Sequence, residues 1–171
     1  MKIFIVGPVA SGKTTLARKL SELLDIPYFE LDSIVHDDYN SIKRSEDEQR
    51  SLINKIIRDN KEWIIEGMPR THLDVISANA TLIIYLDFKK HIIKSRLRIR
   101  YIKQKLGISN VNYKVDKELY FRMLNYINDD HKENLKILMK RYPTKLCIIK
   151  NNREIKRLMD AIKEGEILKY Q

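Results

Sequence analysis

Residues 7–14 read GPVASGKT, and no other stretch of this 171-residue chain restricts its fold so strongly. The pattern G-x-x-x-x-G-K-[ST] is a phosphate-binding loop. Its glycines let successive backbone N–H groups curl around phosphate oxygens, while a Lys and a hydroxyl meet the terminal phosphates and Mg2+. Such a loop needs a strand before it and a helix after it. KIFIV, residues 2–6, is β-branched and aromatic, and beyond Lys13 the apolar residues Leu16, Ala17, Leu20, Leu23 and Leu24 recur at helical spacing. The chain has only five glycines, and Gly7 and Gly12 fill the two required places. The motif assigns Lys13 to the β- and γ-phosphates of ATP and Thr14 to Mg2+. The backbone amides of Ala10, Ser11, Gly12, Lys13, Thr14 and Thr15 are assigned to phosphate oxygens at the N-terminus of the helix.

The rest of the chain alternates strand and helix patterns. YFELD predicts a second strand finishing near Asp32, and EWIIEG and TLIIYLD predict strands closing on Gly67 and Asp87. The last two are continuous apolar runs, as expected of strands covered on both faces in a parallel sheet. SEDE at 45–48 has capping-box spacing before Leu52, Ile53, Ile56 and Ile57, which predicts a helix over 46–59. A basic helix is expected from about His91 to Lys105, and another from about Asp116 to Arg141, stopped by Pro143. KLCIIK reads as a fifth strand, with Asn152 as cap of a last helix that stops at Gly165. This alternation predicts a three-layer α/β/α fold with a five-stranded parallel sheet. Gly7, Asp32, Glu66 and Asp87 all fall at strand ends, so one rim of that sheet collects them.

Composition bounds the function without naming it. A hydrophobic content of 43% with 33% charged residues is that of a globular chain, and no apolar stretch is long enough for a membrane span. MKIFIVGP is too short for a secretory signal, so a cytoplasmic location is expected. The single Cys147, in an apolar run, excludes an internal disulfide and is expected in the core. The net charge of +10 suits nucleic acid, an anionic membrane or a polyanionic nucleotide. A switch GTPase would need an Asn-Lys-x-Asp element, and NKII at 54–57 and NKEW at 60–63 both lack its Asp. The length suits a small kinase, as one domain over residues 1–171.

IIEGMPRT, residues 64–71, resembles the segment of adenylate-kinase-like nucleoside monophosphate kinases in which a strand ends in an acidic residue, Gly, an apolar residue, Pro, Arg and Thr. That group usually has Asp where this chain has Glu66. With GPVASGKTTLARKL, LDSI after the second strand, and RLRIR in the helix after YLDF, nearly the whole chain resembles the P-loop kinases called DNA topology modulation proteins. The resemblance implies a sheet in strand order 2-3-1-4-5, an acceptor-binding insertion over about 33–60 and a lid-like helical region over about 101–142. It also implies ATP and Mg2+ as cofactors and phosphoryl transfer to a nucleotide- or nucleoside-like acceptor.

Carried over by residue, the resemblance places Arg70 on an acceptor phosphate or hydroxyl-bearing group and makes Arg96 and Arg100 lid-side arginines facing the transferring phosphoryl. Arg96 and Arg100 share a helical face that Arg98 does not. Glu66 is the candidate for the Mg2+ shell, with Asp87 as competitor. Asp32 either orients or deprotonates an acceptor hydroxyl or caps a short helix at Ser33. Arg44 is a further candidate for acceptor phosphate, and Gly67 lines the acceptor side. Asn151, Asn152 and Arg153 fall where the group contacts adenine. The chain departs from adenylate kinases in lacking a zinc lid and an acidic-pair lid motif.

Two other classes compete. Tyrosines interleaved with cations in RLRIRYIKQKLG and NYKVDKELYFRMLNY raise nucleic-acid binding. Tyr120, Met123, Leu124 and Ile127, however, repeat at helical spacing, which points to core packing. The other class is a regulatory module that binds ATP without turnover.

Overall fold

The computed structural model describes residues 1–37, 42–108, 116–128 and 132–166. At its centre is strand β1 (Lys2–Val6), followed by the phosphate loop and helix α1 (Lys13–Leu24). Next come β2 (Tyr28–Glu30), α2 (Leu31–Val35), α3 (Glu46–Asp59) and β3 (Trp63–Glu66). A 3-10 turn at Thr71–Leu73 leads into α4 (Val75–Asn79), β4 (Leu82–Leu86) and α5 (Lys90–Lys105). The chain continues with α6 (Lys117–Asn128), α7 (Lys132–Arg141), a 3-10 turn at Pro143–Lys145, β5 (Leu146–Ile149) and α8 (Asn152–Lys163). The five strands form one sheet in the order β2-β3-β1-β4-β5, all neighbours parallel, as expected.

The unbroken apolar runs follow from burial on both sheet faces. Ile3 and Ile5 of β1 join Ile64, Leu82, Ile84 and Leu86 in one core cluster, where α1, α5 and α8 pack with Leu16, Leu20, Leu97 and Leu158. Phe4 and Val6 join Trp63, Ile65, Ile83 and Tyr85 in the other, covered by α2, α3, α4 and α7 through Val35, Ile53, Ile76 and Leu138. Successive side chains of a strand point to opposite faces, so a strand covered twice has no polar face to show.

Local chemistry sets the element ends. Ser45 and Glu48 form the expected capping box at the start of α3, each accepting the other's backbone N–H. Two details differ from expectation. Asp32 does not end β2, because the strand stops at Glu30 and the chain turns directly into α2, with Asp32 in its first turn. The cap of α8 is Asn151, whose side chain accepts from the Glu154 N–H at 3.1 Å; Asn152 is the first helical residue. Of the expected helix from Asp116 to Arg141, the described residues show Lys117–Asn128 as α6 and Lys132–Arg141 as α7 in helical conformation. Residues 129–131 and 109–115 of the expected lid region, and 38–41 of the expected acceptor insertion, lie outside the described residues.

Gly67 shows how tightly the rim after β3 is packed. A Cβ there would stand 2.5 Å from Leu31 Cβ, a distance that requires backbone movement. Gly67→Ala is expected to cost ~1–3 kcal/mol through overpacking. Urea unfolding of the two proteins measures it, with a lowered midpoint at unchanged slope as the expected outcome.

Candidate functional site

The parallel register brings the strand ends together. Ile5 of β1 pairs with Glu66 of β3, and Glu30 of β2 pairs with the same Glu66. The phosphate loop leaves β1 one residue after Val6, beside Glu66. In the loop Gly7, Ala10 and Gly12 have φ +148°, +59° and +103°, so three of its residues take the positive φ that curls the backbone. Ala10 adopts that conformation without glycine's freedom, a strain of the kind held at functional sites.

Three side chains define the centre. Thr14 donates its hydroxyl to Glu66 Oε1 at 2.5 Å, and Lys13 donates from Nζ to the Pro8 carbonyl at 3.1 Å. Glu66 is only 5% exposed. Burial pushes its carboxyl above the usual carboxylate range, against the opposing pull of the Lys13 charge and the Thr14 hydrogen bond. Lys13 keeps some exposed surface, yet its ammonium sits deep enough that burial draws it below the usual lysine range. Glu66 and Asp32 oppose that shift, and the positive charge of Arg100 adds to it. Asp32, Glu66 and Arg100 thus all act on one ammonium group. Of the two acids, Glu66 is the one the Thr14 hydroxyl meets. Asp87 is half-buried and its backbone N–H donates to Ile149 O at 2.8 Å; the residue before α5 is Lys89, so Asp87 does not cap that helix.

Arg96 lies on the loop. It donates from Nη1 to the Ser11 carbonyl at 2.6 Å and from Nη2 to Asn152 Oδ1 at 2.8 Å, with its guanidinium 4.2 Å from the Phe88 ring centroid. Arg96 and Asn152, expected to serve the phosphoryl group and the adenine separately, therefore form one bridge from the loop to the start of α8. Arg153 is exposed beside it, and Thr15 is exposed on α1.

On the other flank Arg70 is half-buried, and its buried Nε has no hydrogen-bond partner among the described residues. Arg44 does not stand free for an acceptor. Its Nη1 donates to the carbonyls of Ser33, Ile34 and His36 at 2.8, 3.0 and 2.7 Å, and Nη2 pairs with Asp37. These carbonyls are at the end of α2, where the helix leaves them unsatisfied, so Arg44 acts as its C-terminal cap.

Sequence reasoning missed the residues that hold the Arg70 segment. Buried Gln49 donates to the Arg44 carbonyl at 2.7 Å, and His72 Nε2 meets Gln49 Oε1 at 2.9 Å. Two residues beyond His72, Asp74 accepts from Tyr142 Oη at 2.8 Å and pairs with Arg141 at 2.7 Å. No periodicity marks a Gln as a tie between α3 and the turn after β3; only its place on the buried face of α3 was available as a signal. Tyr126 was also missed. Its hydroxyl contacts Met68 Sδ at 3.6 Å, and burial raises its phenol, with the charges of Arg70 and Asp32 acting in opposite senses.

The expected core role of the α6 repeat holds. Ile127 is buried, and Tyr120, Met123 and Leu124 pack against the first core cluster. Tyr120 stacks on Tyr101 at 4.6 Å, so these rings are engaged with each other. Cys147 is buried, and desolvation pushes its thiol up to about 11, consistent with packing. No described helix is long and apolar enough to cross a membrane.

A family model described as an AAA domain matches residues 3–120, from β1 through the loop, Glu66 and Arg70 to the start of α6. The chain belongs to this AAA-domain family. The matched span carries Lys13, Thr14, Asp32, Glu66, Arg70, Arg96 and Arg100, and the family assignment therefore rests on the part of the chain that builds the site. No curated protein matches the chain by sequence. Among solved structures, a shikimate kinase from Bacteroides thetaiotaomicron is similar at 15% identity and a TM-score of 0.57, over 95% of this chain and 96% of that one. A gluconokinase from Sinorhizobium meliloti 1021 is similar at 14% identity and a TM-score of 0.54, over 99% and 97%. An uncharacterised protein from Eubacterium ventriosum ATCC 27560 is similar at 18% identity and a TM-score of 0.52, over 97% and 98%. At these identities the likeness is one of fold.

The buried Glu66 has a measurable consequence in the metal-free protein. The folded state holds the Glu66 proton more tightly than the unfolded chain does, so its contribution to stability is fully present below the ordinary glutamate pKa of about 4.3. That contribution is lost as pH rises through the raised folded value. Denaturant midpoints measured in chelator across this window are expected to fall with pH in the wild type more steeply than in Glu66→Gln. Parallel pH profiles would place the Glu66 carboxyl in ordinary solvation.

Proposed function

We propose that this protein transfers the γ-phosphoryl group of Mg-ATP to a small acceptor of nucleotide or nucleoside type. The observation that carries this reading is the meeting of Lys13, Thr14 and Glu66 with Asp32 and Arg100 at the rim where the phosphate loop leaves the sheet. Phosphoryl transfer is mostly positioning and charge neutralisation, which this set of groups suits. Two of the solved structures that share the fold are small-molecule kinases by name, which supports a small acceptor. The finer resemblance to DNA topology modulation proteins has the sequence segments as its support, and the proposed chemistry does not depend on it.

In this reading the loop amides and Lys13 hold the β- and γ-phosphates. When bound, Mg2+ would supply charge neutralisation for the phosphates. The Thr14 hydroxyl and the Glu66 carboxylate are the residues that would hold it, and their hard oxygens, already adjacent, fit a cation that keeps several waters. Asp32 accepts the acceptor's hydroxyl proton as the new P–O bond forms and the bond to the β-phosphate oxygen breaks, releasing ADP. Arg70 holds the acceptor, and Arg100 faces the transferring group. Arg96 positions the loop and, with Asn152, borders the adenine. A cytoplasmic location and a division into acceptor insertion and lid belong to the same reading.

Lys13→Met is expected to lower turnover by at least ~100-fold, as loss of a preorganised charge in the transition state does. Arg70→Ala is expected to raise the acceptor KM with ATP affinity within twofold of wild type. Coupled-assay kinetics and ATP titration check both. Loss of ATP binding in Arg70→Ala would mean that the donor and acceptor sides are misassigned.

A further inference from the structure

Helix α5 carries apolar side chains on two opposite faces. Ile93 and Leu97 are buried in the first core cluster. At about 100° per residue, Ile99, Ile102 and Leu106 lie within about 40° of the direction opposite Leu97, and they are 51%, 47% and 65% exposed. The turn that follows is fixed by hydrogen bonds. Gly107, at φ +67°, donates its N–H to the Gln104 carbonyl at 3.1 Å, and Ile108 donates its own to the Lys103 carbonyl at 2.9 Å. These two bonds are a Schellman closure, and they hold Ile108, itself 68% exposed, at the end of the stripe. Four of the nine large apolar side chains exposed among the described residues therefore fall within residues 99–108. Scattered exposed apolar residues need no explanation, whereas a contiguous run of them marks a contact surface.

The charges around the stripe are of one sign. α5 has seven Lys or Arg residues and no Asp or Glu. Arg96 and Arg100 turn to the phosphate loop, where Arg96 holds the Ser11 carbonyl and Arg100 acts on Lys13. Arg98 and Lys105 flank the stripe on one side and Lys103 on the other, all exposed. A second copy docked by the same face about a twofold axis would set these cations against each other, with no carboxylate on either helix to offset them. Nucleic acid matches the charge but not the stripe. Phosphates take polar donors and bases take aromatic faces, while Tyr101 is already stacked on Tyr120 at 4.6 Å. Protein partners are gripped by Trp, Tyr and Arg anchors seated in pockets, and the centre of this ridge offers only Ile and Leu. An anionic lipid surface matches both features. Acyl chains receive aliphatic side chains without shape complementarity, and headgroups receive the flanking cations.

We propose that the outer face of α5 and its closing turn dock this protein on an anionic phospholipid surface. Ile99, Ile102, Leu106 and Ile108 enter the boundary between headgroups and acyl chains, and Arg98, Lys103 and Lys105 meet lipid phosphates. The contact is peripheral and spans nothing, in keeping with the described helices, none of which is long and apolar enough to cross a membrane. It goes beyond the kinase reading and does not rest on it.

Co-sedimentation of the full chain with vesicles, without nucleotide, tests it. Binding is expected to vesicles of phosphatidylcholine mixed with phosphatidylglycerol, at least tenfold weaker binding to phosphatidylcholine alone, and a fall in binding as NaCl is raised. Ile102→Ser combined with Leu106→Ser, both on exposed side chains, is expected to weaken binding to the mixed vesicles at least tenfold. Arg98→Glu combined with Lys105→Glu is expected to do the same. Lys55→Glu combined with Arg58→Glu alters net charge equally on exposed positions of α3, which covers the opposite face of the sheet, and is expected to change binding less than twofold. Four outcomes overturn the proposal. The mixed vesicles are not bound; the serine pair binds them as the wild type does; the α3 and α5 charge reversals weaken binding equally, so that net charge alone acts; or the serine pair abolishes binding of duplex DNA or self-association, read by sedimentation velocity, while vesicles stay unbound. Because ATP is absent, none of these outcomes bears on phosphoryl transfer. Equally, a failure of Mg-ATP to yield phosphorylated product leaves the lipid result standing.

Discussion

The hydrogen bond from Thr14 to Glu66 joins the first turn of α1 to the end of β3, and the candidate site is arranged around it. A carboxylate buried this deeply is costly unless something compensates it. The compensation comes from the Thr14 hydroxyl and the Lys13 ammonium, itself held in part by burial below its ordinary range. Glu66 can stand there only because β1 and β3 are parallel neighbours in register, with Ile5 opposite Glu66. The sheet order, the apolar β1 and β3 and the loop together put one hydroxyl, one ammonium and one carboxylate in a small volume.

Cations are numerous in this chain, and the structure separates them by what they touch. Arg44 satisfies the carbonyls that α2 leaves open, and Arg96 ties the loop carbonyl of Ser11 to Asn152. Arg100 acts on Lys13, and Arg70 keeps a buried nitrogen without a hydrogen-bond partner among the described residues. A net charge of +10 is therefore not one undivided basic surface. Part of it is consumed in structure, as at Arg44 and Arg96, and part acts on Lys13 of the phosphate loop.

The strand order of the sheet rested on the family resemblance, whereas the parallel sheet itself was legible in the sequence through strong local signals: uninterrupted apolar strands, a glycine loop and a capping box. The donor side was legible for the same reason, since Lys13 and Thr14 occupy fixed places in a motif. The acceptor side was read less well. The short helix expected at Ser33 begins two residues earlier, at Leu31 after Glu30, so Asp32 stands inside its first turn as neither strand end nor cap. The three carbonyl partners of Arg44 come from the turn at the end of α2, a tertiary contact that nothing in its sequence neighbourhood marks. Gln49, His72 and Tyr126 act through contacts 23 to 58 residues away in the chain, which no periodicity encodes.

The most direct test of the central claim is ATP affinity measured with Mg2+ and with chelator, in the wild type and in Glu66→Gln. If Thr14 and Glu66 hold the cation that bridges the phosphates, the wild type binds ATP at least tenfold more tightly with Mg2+, and Glu66→Gln loses most of that gain while binding metal-free ATP as before. Equal gains from Mg2+ in both proteins, or no gain in either, would contradict the account.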